Sequence, residues 1–179
     1  MEARKISAIK ISKLRYSDVL TSVPTAAQLV TLFQSAKEID NAHQETFAYE
    51  EAEATVNNYK NQLTGQIYRS DIQPGDVKIN FTIGAYDFAT KGALQGGVVT
   101  ETTWERGEGT EPIYKSFFAV TEDNVLIVFP KANIVSRGSS ADNAIGLAVA
   151  AIPHEVSAAV KSEYWFDVQG VNLESTPTE

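Results

Sequence analysis

Val77-Lys78-Ile79-Asn80-Phe81-Thr82-Ile83 alternates apolar and polar residues without a break. Successive side chains of a strand point to opposite faces, so this run predicts a strand with one buried face. Val77, Ile79, Phe81 and Ile83 turn to a core, while Lys78, Asn80 and Thr82 form a polar face. Downstream, Ile113 to Val120 is aromatic-rich and follows Pro112. The turn residues Glu122-Asp123-Asn124 then lead into Val125 to Phe129, so 113–129 reads as a hairpin. Val98 to Trp104, Ala132 to Arg137, Ala144 to Ile152 and Tyr164 to Val168 complete a set of β runs. The run at Ala144 is apolar on both faces, which fits either a central strand covered on both sides or a helix.

Two helices interrupt this pattern. Ala26 to Ala36 places Leu29, Leu32, Phe33 and Ala36 on one face, with Thr25 and Gln28 at capping-box spacing. Tyr86 to Leu94 has Asp87 in its first turn and stops at Gly96-Gly97. The expected fold is mainly β: a sandwich or small barrel of antiparallel strands with one short flanking helix (about 86–94) and an N-terminal helix (about 26–36).

A chain of 179 residues fits one domain, here 1–179, with a single core. Cysteine is absent, which excludes disulfides, thiolate metal sites and a cysteine nucleophile. The N-terminus has no apolar stretch followed by a small-residue cleavage site, and the apolar run at 144–152 is too short to span a bilayer, so a soluble, cytoplasmically made protein without membrane insertion is expected. The net charge of −8 is uneven. Arg4, Lys5, Lys10, Lys13 and Arg15 stand against Glu2 alone in residues 1–15, a basic arm of +4, and the remainder carries −12. A body this acidic repels phosphate, which argues against specific nucleic-acid binding. The arm is either solvated or docked on an acidic surface of a neighbouring subunit. The tail at about 170–179 is polar and expected to be loose.

Catalytic patterns are scarce. The two histidines, His43 and His154, cannot build a multi-histidine metal centre. No G-x-S-x-G elbow, Walker loop or dinucleotide fingerprint is present, and Asn80-Phe81-Thr82 matches a glycosylation sequon only mid-strand. Glu38, Asp40, Glu45, Glu50, Glu51 and Glu53 form an acidic stretch without Lys or Arg. Carboxylates on one strand sit side by side, not across a substrate, so a solvated acidic face is expected in place of a glycosidase pair. No enzyme activity, cofactor or metal is expected. Between Asn57 and Asp76 the chain is polar and lacks sustained periodicity. It reads as a long loop whose Tyr59, Lys60, Leu63, Ile67, Tyr68 and Arg69 contact a partner, or as a hairpin folded back on its own sandwich.

The run KEIDNAHQETFAYEEAEATVNNYKNQLTGQIYR (37–69) resembles the N-terminal half of the major tail tube proteins of long-tailed bacteriophages. The family likeness continues through the alternating strand at 77–83, AYDFATKGALQGG (85–97), IYKSFFAVTEDNVLIVFPKANI (113–134) and DNAIGLAVAAIPHE (142–155), covering about 5–169. The helix predicted at 26–36 departs from that family's mainly β beginning. The resemblance implies subunits that join their inner sheets into rings, typically hexameric. The rings stack into a tube that meets tape-measure and terminator proteins and conducts DNA without binding it. The implied location is the virion tail, with synthesis in the host bacterial cytoplasm. Secretion and contractile-injection tubes share the fold. In this reading Glu51, Glu53, Lys78, Asn80 and Thr82 line an acidic lumen, and the 57–76 loop joins rings. A carbohydrate-binding or adhesive sandwich is the alternative; it needs exposed aromatics, whereas Trp104 and Trp165 read as core.

Overall fold

The alternation at Val77–Ile83 is realised as a strand whose Ile79, Phe81 and Ile83 are each at most 2% exposed. The structure is a computed structural model that describes residues 5–141 and 143–174. Its strands are β1 (Ile11–Ser17), β2 (Lys37–Glu38), β3 (Ala48–Glu51), β4 (Thr55–Lys60), β5 (Ile67–Gln73) and β6 (Val77–Ile83). The second half adds β7 (Val98–Val99), β8 (Trp104–Glu105), β9 (Ile113–Thr121), β10 (Val125–Ala141), β11 (Ala144–Pro153) and β12 (Tyr164–Asp167). Helix α1 (Leu29–Ser35) follows a 3₁₀ turn at Ala26–Gln28, and α2 (Phe88–Gln95) follows β6.

The main sheet is antiparallel throughout, in the order β2-β1-β9-β10-β11-β6-β3, with β12 beside the first half of β10. The ladder of β9 and β10 shifts register between Phe129 and Ala132, where Pro130 has no N–H to donate. The bulge lets one long strand serve two neighbours: residues 125–128 pair with β12 and residues 132–141 with β11. The runs read as separate at 125–129 and 132–137 are therefore one strand.

Two apolar clusters lie on opposite faces of this sheet. Leu14, Phe117, Ile127 and Phe129 from one half meet Phe81, Ile83, Leu147 and Val149 from the other, in a sandwich-like core that Leu94 of α2 also enters. On the far face, Phe118, Leu126 and Val128 are covered by Leu29 and Phe33 of α1 and by Val168 and Leu173. Phe33 and Phe118 meet edge to face, with centroids 6.4 Å apart. Arg15 fixes that layer: its guanidinium lies 4.4 Å from the Phe33 ring centroid, donates to the Phe33 carbonyl (2.9 Å) and pairs with Glu38 (2.8 Å).

Several expectations change in detail. The basic arm does not reach residue 15, because Leu14, Arg15 and Tyr16 are buried in β1; only the described residues 5–10 lie outside a strand. The tail is packed through Glu174: Leu173 is buried and Glu174 pairs with Lys13 and Arg15, while 175–179 lie outside the described residues. The run 98–104 is not one strand but two short ones, β7 and β8, paired across a Thr100–Thr103 turn. At 144–152 the chain is a central strand whose Leu147, Val149 and Ala151 are buried on one face; on the other, Gly146 is buried beside Thr82 and His43 while Ala148 and Ala150 are half-buried, and these small residues made both faces look apolar. Asp87 is the N-cap of α2, one position before its first turn, and accepts from the Thr90 N–H at 2.6 Å. Hydrogen bonds from Thr90, then from Lys37, pull its carboxyl down to about 2.

Phe118→Ala removes the ring between sheet and α1 and is expected to cost about 3–5 kcal/mol, read by chemical denaturation. Asp87→Ala is expected to cost about 1 kcal/mol at neutral pH. Because the Asp87 carboxyl is depressed when folded, the gap between Asp87→Ala and the parent should shrink as pH falls below about 4, which acid titration of stability checks.

Candidate assembly surfaces

The stretch 57–76 is a β-hairpin, not a loop. β4 and β5 pair from Thr55–Gln73 to Lys60–Ile67, with a register shift beside Tyr59 and Lys60, and they form a sheet separate from the main one. Every residue of β4 is exposed, and so is all of β5 except the partly covered Asp71. Strand alternation is a signature of one buried face; with water on both faces there is no such pattern to read. The base is clamped where the Ala52 N–H donates to the Asp76 carbonyl (2.9 Å) and Gly75 packs on Ala52 so closely that a Cβ would run into its carbonyl. At the tip, Gly65 takes a φ of 72° and donates its N–H to the Asn61 carbonyl (2.8 Å).

All six residues nominated for contact lie on this hairpin and are exposed. Tyr59 and Arg69 pair across it, the guanidinium 5.5 Å from the ring, and Arg69 is held by Asp71 at 2.9 Å. Lys60 stands opposite Ile67, Tyr68 is 69% exposed, and Leu63 at the tip is 94% exposed. Val56 and Ile72 belong with them: they face each other across the ladder and are 51% and 67% exposed. Their signal was pairing, which composition alone does not carry.

The second nominated surface is the polar face of β6. Lys78, Asn80 and Thr82 do share it, opposite the buried Ile79, Phe81 and Ile83. The acidic member, however, is Glu50. In the β3–β6 register Glu50 faces Lys78 whereas Glu51 faces Val77, so Glu51 points to the other side, and Glu53 lies beyond the end of β3. A one-residue step reverses every side chain of a strand, and the sequence gives no ladder from which to choose the step. Glu50 pairs with Lys78 (2.7 Å) and accepts from Asn80 (3.2 Å). Ala48, Ala148 and Ala150 fill the face around them, with Val135 and Arg137 of β10 beyond. The charged residues at these positions are Lys78, Glu50 and Arg137, so this face is not the acidic one expected.

A third cluster lies where β3 approaches β12. Tyr49 and Trp165 meet edge to face at 5.6 Å, and Glu163 Oε1 accepts from both the Tyr49 hydroxyl (3.0 Å) and the Trp165 indole N–H. Trp165 is 44% exposed and Trp104 half-buried, so neither is the core residue its pattern suggested. His43 and His154 are half-buried at separate places; the latter packs on Tyr114. Among the described residues no group of three or more His, Asp or Glu is placed to hold a metal ion, and no helix is long and apolar enough to cross a membrane. Comparison with known proteins finds no family model that matches the chain and no matching curated protein.

Burial and the Glu163 carboxylate push the Tyr49 phenol well above its ordinary value. The folded state then keeps a proton that the unfolded chain gives up near pH 10, so stability should fall as pH rises beyond about 10. Denaturation between pH 9 and 12 is expected to show a steeper decline for the parent than for Tyr49→Phe.

Proposed function

We propose that this chain is a structural subunit that assembles with copies of itself into stacked rings, as the tail tube of a long-tailed bacteriophage. The observation that carries this reading is the β4–β5 hairpin, which holds Val56, Leu63, Ile67, Tyr68 and Ile72 in water on a sheet with no buried face. An isolated two-stranded hairpin is marginal in water, and an apolar group of this kind marks a surface that a partner covers. The outer edge of β3, last in the main sheet, offers a row of main-chain groups for pairing with a second subunit.

In this reading edge-to-edge joining closes a ring and the hairpin reaches the next one. The face of Lys78, Asn80, Thr82 and Glu50 lines the central channel. Ala148 and Ala150 give DNA no handles and the Lys78 charge is matched by Glu50, which leaves Arg137 as the one charge among the described residues of this face that passing DNA would meet. The subunit is then made in the host cytoplasm and functions in the virion tail, capped by other tail proteins.

One observation favours a second reading, a carbohydrate-binding or adhesive module: the exposed Trp165 beside Tyr49 and Glu163. On that reading Trp165→Ala abolishes retention on a glycan surface and the hairpin is dispensable. Deleting Lys60–Ile67 separates the two. The assembly reading expects a folded protein with an unchanged far-ultraviolet spectrum that stays monomeric by light scattering where the parent grows. Particles as large as the parent's from the deleted protein would contradict it.

A further inference from the structure

Strand β10 carries an unpaired edge that its own subunit does not use. Its pairing with β9 stops at Ile134 opposite Ile113, and the residue before Ile113 is Pro112, which has no N–H to continue the ladder. Beyond that point residues 135–141 pair with β11 on one side only. Among the described residues no main-chain hydrogen bond reaches 135–141 from the β9 side. Every second residue of such an edge turns its N–H and C=O outward, a template for one more strand. The edge holds no proline that would block it.

β10, β11, β6 and β3 form a run of four antiparallel strands that ends in two free edges, this one and the outer edge of β3. β11 and β6 stand between those edges, so within one subunit they do not pair. Four is an even number, so a second copy in the same orientation brings its β3 alongside β10 antiparallel. The charges match as well. Arg137 is exposed on this edge, in one row with Ala148 and Thr82 of the polar face. None of the ion pairs among the described residues includes it. Glu50 lies on the same face of β3, and its contacts with Lys78 and Asn80 are both made by Oε2, which leaves Oε1 for another donor. We infer that β3 of one copy adds to the 135–141 edge of the next, with Glu50 opposite Arg137. Ala48 then faces Ser139, and Tyr49 faces Gly138. This inference rests on the assembly reading and names the surface that receives β3.

Stagger selects the same register independently. Tyr49, Ile79, Ala151 and Ile134 stand in one row of a subunit. At the junction the next Tyr49 stands opposite Gly138, four residues further along β10 for the four strands crossed. Equal stagger and strand number is the ratio of an eight-stranded barrel of shear 8, whose strands tilt by about 36°. An offset of two residues takes the tilt below the usual barrel range of about 35–45° and sets Arg137 against Ala48. Odd offsets turn Glu50 to the other face. A head-to-tail contact of this kind joins different patches of each copy and makes a ring when its rotation closes.

The chain has no cysteine, so introduced thiols pair without competition. Full-length Ala48→Cys is mixed under mild oxidation with full-length Ser139→Cys, or with Ala158→Cys, an exposed control outside both edges. Residues directly opposite in antiparallel strands have Cα atoms about 4.5–5.5 Å apart, within disulfide reach. These substitutions leave Glu50 and Arg137 in place, and circular dichroism verifies the fold. A covalent heterodimer about tenfold more abundant with Ser139→Cys than with Ala158→Cys is expected, and adding Arg137→Glu to the Ser139→Cys chain should remove most of that excess by setting like charges together. Equal yields, no heterodimer, or an excess that survives Arg137→Glu overturn the junction. Light scattering of the parent protein tells the failures apart: growth without the selective link leaves the assembly reading standing, and no growth removes both.

Discussion

Everything in this molecule depends on a pair of strands buried on both faces. Along β9, Phe117 and Phe118 are neighbours in sequence and point into different clusters, and Ile127 and Val128 do the same on β10. A strand pair in this position cannot be satisfied by one sheet packed on another alone. It needs the other half of the sheet, β11 with β6, on one side and an additional layer on the other. Helix α1 and the segment through Leu173 form that layer, which is why residues outside the β pattern are nonetheless core. The Pro130 bulge is the second requirement, because it turns β10 out of its pairing with β12 and into its pairing with β11.

Strands with one wet face were legible, because burial writes a period of two into them; Val77–Ile83 is the plainest case. The turn at Glu122-Asp123-Asn124 was equally plain, and Asn124 takes the positive φ of 59° that asparagine tolerates better than most residues. Helix α1 was readable from its apolar face and from Gln28, whose side chain accepts from the Thr25 hydroxyl at 2.9 Å. What failed to show were features set by partners distant in sequence. The identity of the acidic residue on the β6 face depends on a one-residue choice of register with β3. Trp165 sits in a strand pattern at the rim, where its outer side has no layer over it. The β4–β5 hairpin left no periodicity because neither of its faces is buried.

The hairpin and the open edge of β3 are parts of the surface that the core does not use. The core is spent on holding the sheet, and the hairpin carries a local group of exposed apolar residues, Val56, Tyr59, Leu63, Ile67, Tyr68 and Ile72, while others such as Val98 and Ile145 stand elsewhere. An extended apolar projection is a hazard for a monomer and an asset for a subunit. The same hairpin is closed at its base by Gly75 against Ala52, and its two strands pair with each other and not with the main sheet.

The most direct measurement is negative-stain electron microscopy of the purified full-length protein across a range of concentrations. Rings or tubes with a central hole are the predicted result. Uniform monomers at high concentration would contradict self-assembly as the working state of this chain.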